Sequence, residues 1–222
     1  MDRTLKEIIA VFLSIFILFV AWYGSYSPMR KAQTYIATLQ SMQTNPVSSL
    51  LDLQTRLSIP LDSSSPIGQE EIVRNMADSV LSFIQRSNDA TTTAKLVDYV
   101  TSYFNPILAR GKGMSFGQDV YLMGVMNEMA YTRTGDKVYL VASQKYYEQG
   151  VALGPNRPQV LYGLFDVYRM KGDVPNALSI GSRILANWPG DQNVQRGISQ
   201  LLSQQASSSV PKGNPPTIKK VN

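Results

Sequence analysis

Residues 155–189 read PNRPQVLYGLFDVYRMKGDVPNALSIGSRILANWP, and this stretch decides the fold. Pro155 and Pro189 stand 34 residues apart and bracket two apolar-periodic segments. Leu161, Leu164 and Tyr168 recur at helical spacing. Lys171-Gly172-Asp173 then supplies a turn, and Ala177 provides a small residue where two helices must approach closely. The pattern is helix, turn, helix.

Moving outward, Tyr131-Thr132-Arg133-Thr134-Gly135-Asp136 parallels Tyr168-Arg169-Met170-Lys171-Gly172-Asp173 at an offset of 37 residues. The earlier unit therefore begins with a helix from Phe116 to Ala130 and is predicted to carry a small insertion around Lys137 to Leu140. Tyr146-Tyr147 through Leu153 completes it. Gly154 to Pro158 opens the next unit, with Asn156 or Arg157 as helix cap and Pro158 entering the first turn. On the C-terminal side, Asp191 caps a helix carrying Val194, Ile198, Leu201 and Leu202, polar elsewhere, that suits the covering of a last apolar face. From Ala206 to Asn222 the composition predicts a disordered tail.

The length of the unit and its aromatic, Gly, Ala and Pro positions resemble the tetratricopeptide repeat. The resemblance covers two units, and the hairpin before them reads as a degenerate third. It implies an α-solenoid of helical hairpins whose first helices line a groove for a peptide or a partner's helix. Carried over residue by residue, the groove positions are Leu122, Val125, Met129 and Thr132 in the first unit, and Gln159, Tyr162, Asp166 and Arg169 in the second. Gly181 stands where that family usually has an aromatic and Ile184 where it usually has Ala, which implies looser packing there.

Toward the N-terminus, Ile8 to Trp22 is apolar except for Ser14, and with Tyr23 to Tyr26 it approaches the roughly 20 residues that cross a bilayer as a helix. Trp22, Tyr23 and Tyr26 sit like an interfacial aromatic belt. A cleaved signal peptide needs small residues before its cleavage site, whereas Ala21-Trp22-Tyr23 is bulky, so an uncut transmembrane anchor over residues 8–26 is the expectation. Arg3 and Lys6 on one side balance Arg30 and Lys31 on the other. A short N-terminal tail, residues 1–7, favours a single-pass protein with its body outside the cytoplasm.

Residues 27–65 read as juxtamembrane helices and linker. Arg30 to Gln43 is a polar helix with Ala32, Tyr35, Ile36 and Leu39 on one side, ended by Asn45-Pro46. Leu50, Leu51, Leu53 and Leu57 mark a short helix, and Pro60 to Pro66 a linker and the main boundary. The helical repeat domain then runs over residues 66–205. Ser65-Pro66 with Glu70 and Glu71 reads as a helix start. Val73, Met76, Ala77, Val80 and Ile84 form its apolar stripe. Across Asn88-Asp89 follows a helix from about Thr92 carrying Leu96, Val100, Tyr103 and Ile107, with Pro106 bending or ending it.

The chain of 222 residues contains no His and no Cys, which removes imidazole bases, thiol nucleophiles, most zinc ligand sets and disulfides. No cofactor or metal site is expected. Arg110-Gly111-Lys112-Gly113 lacks the spacing and the preceding strand of a phosphate loop and reads as a helix connection. An enzyme would have to use a pair such as Asp166 with Tyr162 or Glu128, and no convergent acid–base spacing supports one. The net charge of +5 is dispersed and partly in the tail, at Lys212, Lys219 and Lys220, which argues against nucleic acid.

The expected function is thus non-catalytic: a membrane-anchored scaffold that binds a protein or peptide through its repeat groove and the lipid bilayer through residues 8–26. A broader resemblance points to an alternative. The order of membrane helix, polar helix, Pro66-Ile67-Gly68-Gln69-Glu70-Glu71-Ile72 and Pro155-Asn156-Arg157-Pro158-Gln159 resembles the C-terminal repeat region of bacterial O-antigen ligase-like multispan membrane proteins, without their catalytic membrane domain. That resemblance implies an accessory module of a cell-surface glycan ligase or polymerase system, partnered by a multispan membrane protein.

Overall fold

A computed structural model describes residues 3–87 and 89–209, and every regular element among them is a helix. The tail expected over residues 206–222 begins later, because its first residues continue a helix to Ser209, and residues 210–222 lie outside the described residues. Asn88, expected in a turn, lies outside them too. The chain forms two compact units, Met1–Ser143 and Gln144–Asn222.

The first unit begins with α1 (Arg3–Ala21), a π-helical turn (Trp22–Tyr26) and α2 (Ser27–Thr44), which run as one uninterrupted helix of 42 residues. Arg3 to Glu7, expected as a tail, are already helical. The α1 side chains are exposed all round, Phe12 by 74% and Leu18 by 69%, and none is buried. It is the one helix among the described residues long and apolar enough to cross a membrane. From Ile8 to Tyr26 it spans about 28 Å at roughly 1.5 Å per residue, close to the ~30 Å of a hydrocarbon core. Pro28 explains the π turn. Its ring lacks an N–H and would strike the carbonyl of Gly24 in a regular α-helix, and the wider turn, closed by the Ser27 N–H on the Trp22 carbonyl, absorbs that conflict.

Beyond this turn the helix acquires partners. α2 packs on α3 (Leu50–Asp62), which leans on α4 (Gln69–Arg86) and α5 (Ala90–Arg110), and α6 (Phe116–Thr134) packs on both α4 and α5. The buried row of α2 is Lys31, Tyr35 and Thr38, while Ala32 and Ile36 are exposed. Of the expected face Tyr35 is buried and Leu39 half-buried, and the buried side extends instead to Lys31, whose ammonium donates to the Leu61 and Ser63 carbonyls, and to Thr38, whose hydroxyl donates to the Thr34 carbonyl of its own helix. α3 runs through Pro60, which is buried beside Leu57 and Leu61, so the connection to α4 shortens to residues 63–68. α4 begins at Gln69 behind Gly68, whose φ of 87° only glycine adopts without strain, rather than at a Ser65 cap. Its predicted stripe of Val73, Met76, Ala77, Val80 and Ile84 is buried throughout. α5 is capped by Asp89, which accepts from the Thr91 and Thr92 N–H groups, and it continues four residues past Pro106.

α7 (Lys137–Leu153) begins in the first unit and ends in the second. The insertion expected at Lys137 to Leu140 is not a loop: α7 is 17 residues long against 14 for α9 (Val174–Asn187), and this difference of three matches the excess of the 37-residue offset over 34. In the second unit, α8 (Pro158–Lys171) pairs with α9, and α10 (Gln192–Ser209) packs on α9. Leu161, Leu164, Tyr168 and Ala177 are buried.

Packing at Gly181 is tight rather than loose. A Cβ there would lie 2.9 Å from Ile198 Cδ1 and 3.0 Å from Phe165 Cε2, so α10 and α8 together fill the place of the missing aromatic. At Gly163 a Cβ would fall well inside contact distance of the Tyr147 ring. Gly163→Ala must therefore displace an aromatic ring, and overpacking of this kind costs about 1–3 kcal/mol. At Gly181 the nearest atom is the end of a flexible side chain, and the gain in helix propensity of about 1 kcal/mol offsets the crowding. Denaturant unfolding is expected to show Gly163→Ala clearly destabilised and Gly181→Ala close to the parent.

Candidate functional site

The positions carried over from the repeat resemblance fall on α6 and α8. On α6, within the first unit, Leu122 is buried, Val125 and Met129 are half-buried, and Thr132 is exposed, donating from its hydroxyl to the Met129 carbonyl at 2.8 Å. The row thus grades from core to solvent over three turns. Only its last members are open to a partner.

On α8, within the second unit, Gln159 and Arg169 are exposed and Tyr162 and Asp166 half-buried. Two of these form a local pair, Arg169 Nη1 to Asp166 Oδ1 at 2.9 Å, with the guanidinium also 5.5 Å from the Phe165 ring centre. Tyr162 is committed to the fold. Its hydroxyl donates to Asp191, its ring stacks on Trp188 with centres 6.3 Å apart, and Asp191 in turn accepts from the backbone N–H groups of Asn193 and Val194 at 2.9 and 3.0 Å. The expected N-cap at Asp191 is present. The Tyr162 hydroxyl and these N–H groups hold its carboxyl below the usual range.

No protein-family model, curated protein or solved structure matches the chain. The functional reading therefore rests on its own residues.

Three features of the first unit were not anticipated. Lys31, read from sequence as a flanking charge, is 3% exposed, and its ammonium donates to the carbonyls of Ser63 at 2.5 Å and Leu61 at 3.5 Å and to the Gln69 side chain. The signal for this was its spacing with Tyr35 and Thr38, three and four residues apart along one face. A cavity of about 670 Å³ lies between α2, α3 and α4, walled by Leu39, Met42, Val47, Leu53 and Phe83 with Arg86 at its rim. Finally, Arg74 on α4 donates to Asp119 on α6 at 3.1 Å, with the Asp119 side chain fully buried and its Oδ2 without a hydrogen-bond partner. Burial pushes the Asp119 carboxyl up, and Arg74 opposes this. These two residues are 45 positions apart, and nothing in local periodicity connects them.

Two pH-dependent outcomes follow from these charges. Arg74→Met leaves a buried carboxylate without its cation, a loss of about 3 kcal/mol at neutral pH. Because the Asp119 carboxyl titrates above its unfolded value, the folded state takes up its proton first on acidification, so the deficit shrinks as pH falls toward about 4. Chemical denaturation across pH checks both the size and the trend. Asp191 behaves oppositely: its contribution is present above about pH 4 and is lost as pH falls through its depressed folded value. Hydrogen exchange at Asn193 and Val194 is expected to show that loss, and Tyr162→Phe to move it to higher pH.

Proposed function

We propose that this chain is a single-pass membrane protein whose helical hairpins form a tetratricopeptide-like platform for a polypeptide partner, helical or extended, with its body on the extracytoplasmic side. The observation that carries the reading is a turn used twice. Gly135 and Gly172 both end a helix in the left-handed region, at φ of 71° and 69°. In each case the next residue, Asp136 or Asp173, accepts from a backbone N–H of the following helix, that of Val138 at 2.9 Å or Asn176 at 3.3 Å. Such a turn ends one helix and starts the next with the same chemistry in two places, and in the second of them α8 pairs with α9.

The period supports the same reading. α8 starts at Pro158 and α10 at Gln192, and 192 − 158 gives 34 residues, the tetratricopeptide period. Among the carried-over positions, Thr132 on α6 of the first unit and Gln159 and Arg169 on α8 of the second are exposed, each within its own unit. They mix polar and charged groups suited to main-chain and side-chain recognition.

The test uses the full chain as bait in detergent-solubilised membranes of its source. A triple variant, Thr132→Glu, Gln159→Glu and Arg169→Glu, changes exposed groups only and leaves Tyr162 to hold Trp188 and Asp191. Recovery of a specific partner by the parent, reduced about tenfold or more by the variant at unchanged helicity and melting temperature, is the expected result. Equal recovery by both counts against the groove.

A further inference from the structure

Where the apolar part of the long helix ends, the chain builds a pocket. Trp22, Tyr26, Arg30 and Thr34 supply one wall and Ser63 and Ser64 of the α3–α4 connection the other, around a volume of about 340 Å³. That lies at the lower end of the roughly 300–1,000 Å³ of small-ligand sites. Trp22 and Tyr26 stack with ring centres 4.6 Å apart, the Arg30 guanidinium lies 5.9 Å from the Tyr26 ring centre, and Arg30 Nη1 is 3.4 Å from the Tyr26 hydroxyl. The order along the helix is therefore apolar shaft, aromatic step, cation.

The charge of the pocket is one-sided. Lys31 lines it from beneath, hydrogen-bonded to neutral acceptors, with no carboxylate at ion-pair distance among the described residues. Arg30 likewise has no acidic partner among them. The nearest acid acting on Lys31 is Asp62, whose carboxylate accepts from the Tyr103 hydroxyl at 2.8 Å. Ser27 donates to the Ser64 carbonyl at 3.1 Å and so closes the connection over the helix. The Lys31 ammonium is thus satisfied as a donor, with Asp62 acting on its charge from beyond ion-pair distance, while the exposed Arg30 keeps donors and charge open toward the pocket.

We infer that this pocket binds the phosphate of an anionic phospholipid headgroup, held by Arg30 over the buried charge of Lys31, with the glycerol region against Trp22 and Tyr26. The inference rests on α1 lying in a bilayer, as proposed above. That position supplies the occupant: a phosphodiester in the interfacial layer is level with an aromatic belt and within one helical turn of Arg30.

The full chain is placed in nanodiscs of phosphatidylcholine with and without phosphatidylglycerol, and the lipid retained after gentle detergent exchange is measured by native mass spectrometry. Phosphatidylglycerol is expected to be enriched over its share of the disc. Arg30→Gln reduces that enrichment about fivefold, the factor corresponding to roughly 1 kcal/mol per basic residue near the surface. Lys6→Gln, at the opposite end of the shaft, leaves it unchanged. Equal retention of both lipids, or an Arg30→Gln variant that behaves as the parent, overturns the site. So does displacement of the lipid by millimolar glycerol phosphate, which would make it a site for soluble phosphate. Release of the chain from membranes by alkaline carbonate would instead sink the membrane reading itself, a result distinct from retention without lipid preference.

Discussion

A buried ammonium on an unbroken helix is the constraint from which the first unit is assembled. Lys31 can lose its water only because the end of α3 and the start of α4 turn carbonyl and amide oxygens toward it. This ties three separate segments of chain at one atom: the long helix, the last turn of α3, and Gln69 at the head of α4. Burial holds the Lys31 ammonium below its ordinary range, with the nearby Asp62 charge working in the other direction. Were the tie removed, the helix α2 would keep Tyr35 and Thr38 as its buried contacts but would lose the polar anchor that fixes its height against α3.

Much of the architecture is readable from local patterns because local physics sets it. The α4 stripe, the Gly172-Asp173 turn and the Asp191 cap each depend on residues within a turn or two of one another, where helical periodicity and left-handed glycine act directly. The misreadings have a common origin in tertiary contacts. Pro60 looks like a helix end, yet it is buried in α3 beside Leu57 and Leu61, and that packing outweighs the missing hydrogen bond. Gly181 looks like a gap until Phe165 and Ile198 arrive from two other helices to fill it. Lys31 looks like a membrane-flanking charge because its three acceptors lie 30 or more residues further along the chain.

The positions proposed for interaction were legible to differing degrees. The repeat resemblance singled out Thr132, Gln159 and Arg169, and the structure leaves all three exposed. The resemblance could not tell that Tyr162, on the same row of α8, is spent on Asp191 and Trp188, since that bond spans 29 residues and depends on where α10 begins. The Arg74–Asp119 pair and the cavity between α2, α3 and α4 belong to the same class: they exist only once distant helices have been brought together.

The absence of any break between Ala21 and Thr44 has a mechanical consequence. A loop at this point would act as a leash and let the attached body tumble freely over the lipid surface. A continuous rod removes that freedom, so with α1 in a bilayer the α3–α6 bundle stands at a set elevation and can swing only by tilting or spinning the rod itself. Encounters with neighbours in the same sheet then become searches in two dimensions at matched height, which raises the effective concentration of any partner built to the same elevation. The extra residue in the turn at Trp22–Tyr26 sets which way that bundle faces, since one residue amounts to about 100° of rotation around a helix.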